Sequence, residues 1–194
     1  MKIDTENKTL IFAIGEGGIA SMNYLLTKIV QDENTEFISL DSDKETLKNA
    51  KTKHKIQIGK TLVQGCSCYQ NSFLGQACLY SNKRKVCNML NGSKRIIILT
   101  TLGGGISSGA TYALLEIANN LGISSTVIYT MPQDFEGKTR KNNAEETIKA
   151  IKEFADEYFE VKSTTNKNIS VHDFFLDIDY EIAMHCRKTI NNFE

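Results

Sequence analysis

Short apolar runs of strand length alternate along the chain with stretches of helical periodicity. Residues 10–14 (LIFAI), 37–40 (FISL), 55–58 (KIQI), 95–101 (RIIILTT), 125–130 (STVIYT) and 158–161 (YFEV) read as strands. Several are continuously apolar and rich in Ile and Val, the pattern of parallel strands covered on both faces. Between them, residues 19–31, 74–90, 110–121 and 140–158 carry apolar side chains at three- and four-residue spacing. In the last of these Ile148, Ile151, Phe154, Ala155 and Tyr158 form one stripe. Gly122 stands where a helix-ending glycine belongs. Ser170 and Asp173 form a capping box for a helix running through Ile178, Ile182, Cys186 and Ile190. The alternation predicts an α/β fold: a doubly wound, mostly parallel sheet with helices on both faces. No repeat or linker divides the chain.

At 194 residues the chain has room for one compact domain. Hydrophobic residues at 41% and charged residues at 24% supply an ordinary core and surface. The 23 Lys and Arg balance 23 Asp and Glu, which argues against a nucleic-acid partner held by an overall positive field. No apolar run reaches the roughly 20 residues of a membrane helix, and the first ten residues lack the apolar stretch of an export signal. The expectation is a soluble, cytoplasmic protein without membrane insertion. Cys66, Cys68, Cys78, Cys87 and Cys186 are odd in number and match no common structural zinc spacing, so free thiols and no resident metal are expected.

In doubly wound sheets ligands bind beyond the carboxyl ends of the strands. Two glycine-rich turns fall there. The first strand runs into Gly15, Gly17 and Gly18; the strand at 95–101 runs into Gly103, Gly104, Gly105, Ser107, Ser108 and Gly109. Backbone N–H groups without side chains in the way can approach phosphate oxygens, and a following helix N-terminus adds donors and a favourable dipole. The first loop taken alone also fits a glycine turn that packs a helix on a strand, or a dinucleotide fingerprint with Ala20 at its third glycine. Residues 59–61 and 137–139 (both GKT) lack the upstream glycine of a P-loop, since His54 and Pro132 stand there.

The string TTLGGGISSGA resembles the tubulin signature of the bacterial cell-division GTPase FtsZ, usually GGGTGTG. Residues 37–47 (FISLDSDKETL), 56–75 (IQIGKTLVQGCSCYQNSFLG) and 130–145 (TMPQDFEGKTRKNNAE) resemble further stretches of that family in order and spacing. The resemblance, from about Leu10 onward, implies a Rossmann-like FtsZ/tubulin nucleotide-binding domain over residues 1–194, ending in the family's central helix with the second domain absent. By that resemblance Gly15, Gly17 and Gly18 follow the α- and β-phosphates, and the segment from Gly103 to Gly109, with Ser107 and Ser108, wraps the phosphate tail. Glu136 and Arg140, one helical turn apart, match the ribose- and phosphate-contacting pair. Phe175 matches the aromatic that stacks on guanine, and Asp179 the carboxylate that faces its N1–H and N2 amino group. The implied ligand is GTP or GDP, with or without magnesium.

The chain also departs from the family pattern. The first loop is short, and Ala20 or Ser21 replaces its asparagine. Ile106 and Ser107 stand where Thr and Gly are usual, and the flexible GLGAG has become Gly65-Cys-Ser-Cys-Tyr69. Ser163 or Thr164 replaces the asparagine of a PND motif. The sequence stops at residue 194, before the acidic loop that a neighbouring subunit uses for hydrolysis, and Asp41 and Asp43 match a different loop. No catalytic residue is therefore expected in this chain. The implied function is guanine-nucleotide binding in a filament-related or regulatory role, with hydrolysis only in trans and with a partner that is itself or a full-length FtsZ/tubulin-like protein. The alternatives are a nucleotide-free interaction module and, more weakly, a dinucleotide-dependent oxidoreductase.

Overall fold

A computed structural model describes residues 5–30, 32–163 and 170–191. In chain order these build β1 (Thr9–Ile14), α1 (Gly15–Leu25), β2 (Thr35–Asp41), α2 (Lys44–Asn49), β3 (His54–Gln57) and α3 (Lys60–Val63). There follow α4 (Ser72–Tyr80), α5 (Lys83–Leu90), β4 (Arg95–Thr101), α6 (Gly105–Asn120) and β5 (Ser124–Thr130). A 3-10 turn (Asp134–Glu136), α7 (Lys138–Phe154), β6 (Glu157–Glu160) and α8 (Val171–Asn191) complete it. The six strands form one parallel sheet in the order β3-β2-β1-β4-β5-β6, as the alternation predicts.

The sheet is covered on both sides, which explains its continuously apolar strands. Leu10, Phe12, Ile14, Ile96 and Ile98 point into a core built with α4, α5, α6 and α7. Their alternates Ile11, Ala13, Ile97 and Leu99 point into a second core with α1, α2 and α8. All nine are fully buried, and each large one removes roughly 1.5–3 kcal/mol worth of apolar surface from water. No helix among the described residues is long and apolar enough to cross a membrane.

Several boundaries differ from the expected ones. The stretch 74–90 is two helices, because the Ser81 hydroxyl and the Asn82 amide both donate to the Cys78 carbonyl, at 2.8 and 3.1 Å, and occupy that acceptor. The stretch 140–158 leaves the helix after Phe154. There Asp156 donates its N–H to the Ser125 carbonyl and accepts the Ser125 N–H on its carboxylate, which turns the chain into β6. Tyr158 is consequently a half-exposed strand residue, not a member of the helical stripe. Gly122 ends α6 with φ +67°, as expected. At the start of α8 the Asp173 N–H donates to the Ser170 hydroxyl, while the return bond goes from that hydroxyl to the Asp173 carboxylate. Thr164, one candidate for the missing asparagine, lies outside the described residues, as do residue 31 and residues 192–194.

The two glycine-rich segments are largely helical: α1 begins at Gly15 and α6 at Gly105. Glycine is among the poorest helix formers, so packing must supply what propensity does not. A methyl group on Gly109 would lie 1.9 Å from the Ser72 carbonyl oxygen, and one on Gly75 would lie 2.0 Å from the Gly105 carbonyl oxygen. The backbones of α4 and α6 touch there, and only glycine permits it.

Candidate functional site

β1 and β4 are neighbours, and the helices that follow them leave to opposite faces of the sheet, so a crevice opens at their carboxyl ends. The starts of α1 and α6 meet in it: a Cβ on Gly15 would be 3.0 Å from Ser107 Cβ. No side chain accepts an N–H of either first turn, although the Gly105 N–H of α6 is taken by the Tyr69 carbonyl. The other first-turn N–H groups and the positive ends of both dipoles remain available to an anion.

Beside these helix starts lies a cleft of about 360 Å³, lined by α1, the ends of β4 and β5, the turn after β5, α7 and the first half of α8. Gly17, Glu136, Arg140, Phe175 and Asp179 line it together. Phe175 is 44% exposed and meets Phe174 edge to face at 5.5 Å, so its ring faces open space and not the core. Asp179 accepts a 2.7 Å hydrogen bond from the Ser21 hydroxyl on α1. Burial pushes its carboxyl up to about 6, and the Ser21 bond opposes that rise. The structure thus sets Ser21 against Asp179, whereas Ala20 lines the cleft wall without a polar contact.

Glu136 and Arg140 are paired at 3.0 Å, but they do not share one helix. Glu136 closes the 3-10 turn, Gly137 (φ +94°) breaks the path, and Arg140 lies in the first turn of α7. The second Glu136 oxygen accepts the Gln133 N–H at 2.8 Å, which fixes the turn.

Of the glycines in the two segments only Gly17 lines this cleft; the second segment follows Leu102 on the cleft wall and spends much of its polarity internally. Gly103 has φ +108°, a conformation that favours glycine. Its N–H donates to the Ser108 hydroxyl at 2.8 Å, the Gly104 N–H donates to the Ser107 hydroxyl at 3.1 Å, and the Gly105 N–H donates to the Tyr69 carbonyl at 2.6 Å. Gly105 and Gly109 are turned against residues 68–71 and α4, and Gly18 against the Leu99 carbonyl of β4. Asn143, which carries no signal in the sequence, ties the region together. Its amide donates to the Gln70 and Gly103 carbonyls at 2.7 and 3.0 Å, and its oxygen accepts from the Ser72 hydroxyl at 3.1 Å.

Carboxylates stand close to the same end. Asp43 caps α2 by accepting the N–H groups of Glu45 and Thr46. Asp41 is buried and accepts the Asp43 N–H at 2.9 Å. Burial above all pushes it up to about 6, with the Asp43 and Glu16 charges adding to the rise. In the Cys-Ser-Cys segment Cys66 is exposed, while Cys68 packs on Cys78 at 3.6 Å, Sγ to Sγ, as free thiols.

A parallel sheet in this order, with glycine-started helices at its switch point, is common to several nucleotide-binding folds. What separates them is the match of residues 8–169 to the tubulin/FtsZ family GTPase domain. The chain belongs to the tubulin/FtsZ family. The cell division protein FtsZ of Azotobacter vinelandii is 30% identical over 146 residues, covering 75% of this chain and 36% of that protein. The structure of the empty FtsZ dimer of M. jannaschii superposes with a TM-score of 0.84 at 23% identity, over 92% of this chain and 53% of that one. CetZ2 from Haloferax volcanii, solved as a GTPγS-bound protofilament, gives 0.79 at 21% identity, over 91% and 56%. At those identities the two structures show a shared fold. The chain spans about half or less of the length of these FtsZ and CetZ relatives.

Proposed function

We propose that the chain binds GDP or GTP in the cleft between α1, α8 and the ends of β4 and β5, and acts in filament assembly or its regulation. The observation that carries this reading is the base end of the cleft, where an exposed phenyl ring and a carboxylate lie one helical turn apart on α8. Guanine presents two adjacent donors, N1–H and the N2 amino group, and an ionised carboxylate accepts both; adenine offers an acceptor at N1. Phe175 supplies a face for stacking, Arg140 a cation toward the sugar and phosphates, and the uncapped starts of α1 and α6 the amides for the phosphates. The Ser107 and Ser108 hydroxyls accept the Gly104 and Gly103 N–H groups and are assigned to shaping the loop. The neighbour CetZ2, solved as a GTPγS-bound protofilament, supports a guanine nucleotide as ligand and a partner that is another copy or a longer FtsZ/tubulin-like chain.

Hydrolysis is proposed to need a neighbouring chain: of the carboxylates after β2, Asp43 is engaged in capping α2 and Asp41 is buried beneath the Asp43 N–H. Among the described residues no three His, Cys, Asp or Glu side chains converge as metal ligands. A magnesium ion would draw most of its oxygens from phosphates and water.

A second reading, a nucleotide-free interaction module, is favoured by one observation: the N–H groups of Gly103, Gly104 and Gly105 are already bonded within the chain. Calorimetric titration with GDP, GTP and ATP separates the two. Guanine nucleotides are expected to bind at least tenfold more tightly than ATP. No guanine binding at ~100 μM, about −5.5 kcal/mol, overturns the first reading in favour of the second. Turnover that rises with concentration of the pure chain would remove the requirement for a different partner.

A further inference from the structure

We propose that Ser21 is a positioning residue for base recognition, its hydroxyl holding the Asp179 carboxylate in the form and orientation that a guanine edge requires. The proposal rests on the reading that a guanine base occupies the cleft and adds how that site is controlled. Ser21 is fully buried on α1, and its Oγ lies 2.7 Å from Asp179 Oδ1 and 3.1 Å from the Gly17 carbonyl oxygen. A hydroxyl has one proton for these two acceptors, so two arrangements exist. With Asp179 ionised, Ser21 donates to it, and the carboxylate keeps lone pairs for two further donors. With Asp179 protonated, the carboxyl donates to Ser21 Oγ and the hydroxyl turns to Gly17. That form no longer presents two acceptors to N1–H and N2.

Asp179 is balanced between these arrangements because burial raises it to about 6 while the Ser21 bond pulls it down. Among the described residues, the other charged and titratable groups around it are Glu16 and Tyr24 on α1, the Glu136–Arg140 pair across the cleft, and Asp177, Tyr180 and Glu181 on its own helix. β4 and β5 contribute no charged side chain to the cleft. As pH falls through 6 the free protein gains a proton that guanine binding must expel, so affinity falls with it.

The test is GDP binding by calorimetry between pH 5 and 8 for the wild-type chain, Ser21→Ala and Ser21→Thr. In the wild type affinity is expected to be flat above pH 7 and to fall toward tenfold per pH unit below 6. Ser21→Ala removes a bond to a charged group and is expected to move the midpoint up by about one pH unit. It then binds within about twofold of wild type at pH 8 but about five- to tenfold more weakly at pH 5–6. Ser21→Thr keeps the hydroxyl and the wild-type profile. A Ser21→Ala profile that keeps the wild-type midpoint overturns the proposal alone, whether its affinity is unchanged or uniformly weaker. Absence of GDP binding by the wild type at every pH overturns the nucleotide reading and this proposal with it.

Discussion

At the end of the cleft proposed for the base the polar and aromatic groups face open space: Phe175 is 44% exposed, and among the described residues Asp179 has one hydrogen-bond partner, Ser21. At the end proposed for the phosphates the opposite holds. Three consecutive glycine amides are bonded internally, Asn143 clamps the backbone from the side, and Gly109 is pressed against α4. Glycine-rich sequence therefore has two separate physical uses here. One is to bring a ligand close to the backbone; the other is to bring two helices close to each other. Gly105 and Gly109 serve the second, whereas the start of α1, with no side-chain cap, is left for the first in the proposed reading.

Four measurements sharpen or break that contrast. Gly109→Val is expected to have the largest effect, about 3 kcal/mol or more in urea unfolding. It exceeds ordinary overpacking because the obstructing atom belongs to backbone. A loss below about 1 kcal/mol would show that the α4–α6 contact yields, and that the phosphate end is not fixed by packing. Asp179→Ala is expected to weaken GDP binding by roughly 1.5–3 kcal/mol, about 10- to 150-fold, without loss of stability. Affinity within twofold of wild type would move the binding energy to the other end of the cleft.

Asp41→Asn is expected to stabilise the fold at pH 7.5 by on the order of 1–2 kcal/mol. The sign follows from a folded pKa raised from 3.8 to about 6. The stability linked to Asp41 is complete below about pH 4 and is lost as pH rises through 6. The benefit of Asn should accordingly disappear near pH 4 when melting temperatures of both proteins are compared across pH. The smallest effect is expected from Ser107→Ala: about 0.5–1.5 kcal/mol of stability from the Gly104 N–H left without its acceptor, with GDP affinity within about threefold. A loss of affinity beyond tenfold would mean that the hydroxyl belongs to the ligand and not to the loop.

The strands were legible in the sequence because burial on both faces writes an unbroken apolar run, as in residues 95–101. The starts of α1 and α6 were not. Periodicity has no apolar residue to read across Gly15–Gly18 and only Ile106 across Gly103–Gly109, and low propensity hid helical turns that neighbouring backbone stabilises. The family strings led to Glu136, Arg140, Phe175 and Asp179, all of which line one cleft. They could not reveal that Ser21 would meet Asp179 across 158 positions, nor that Asn143 would hold three segments at once. Those are tertiary facts about single polar side chains, and neither spacing nor composition encodes them.

Asn143 also has a mechanical meaning. Through one amide the glycine turn at Gly103, the Gln70 backbone and the foot of α4 at Ser72 are pinned to α7. A push on any of the four is shared by the others, so the rim that would surround a terminal phosphate behaves as one stiff plate. Tyr69 and Phe73, 79% and 82% exposed, ride on that plate. The place where a nucleotide's tail would press is thereby geared to the most exposed aromatic surface among the described residues.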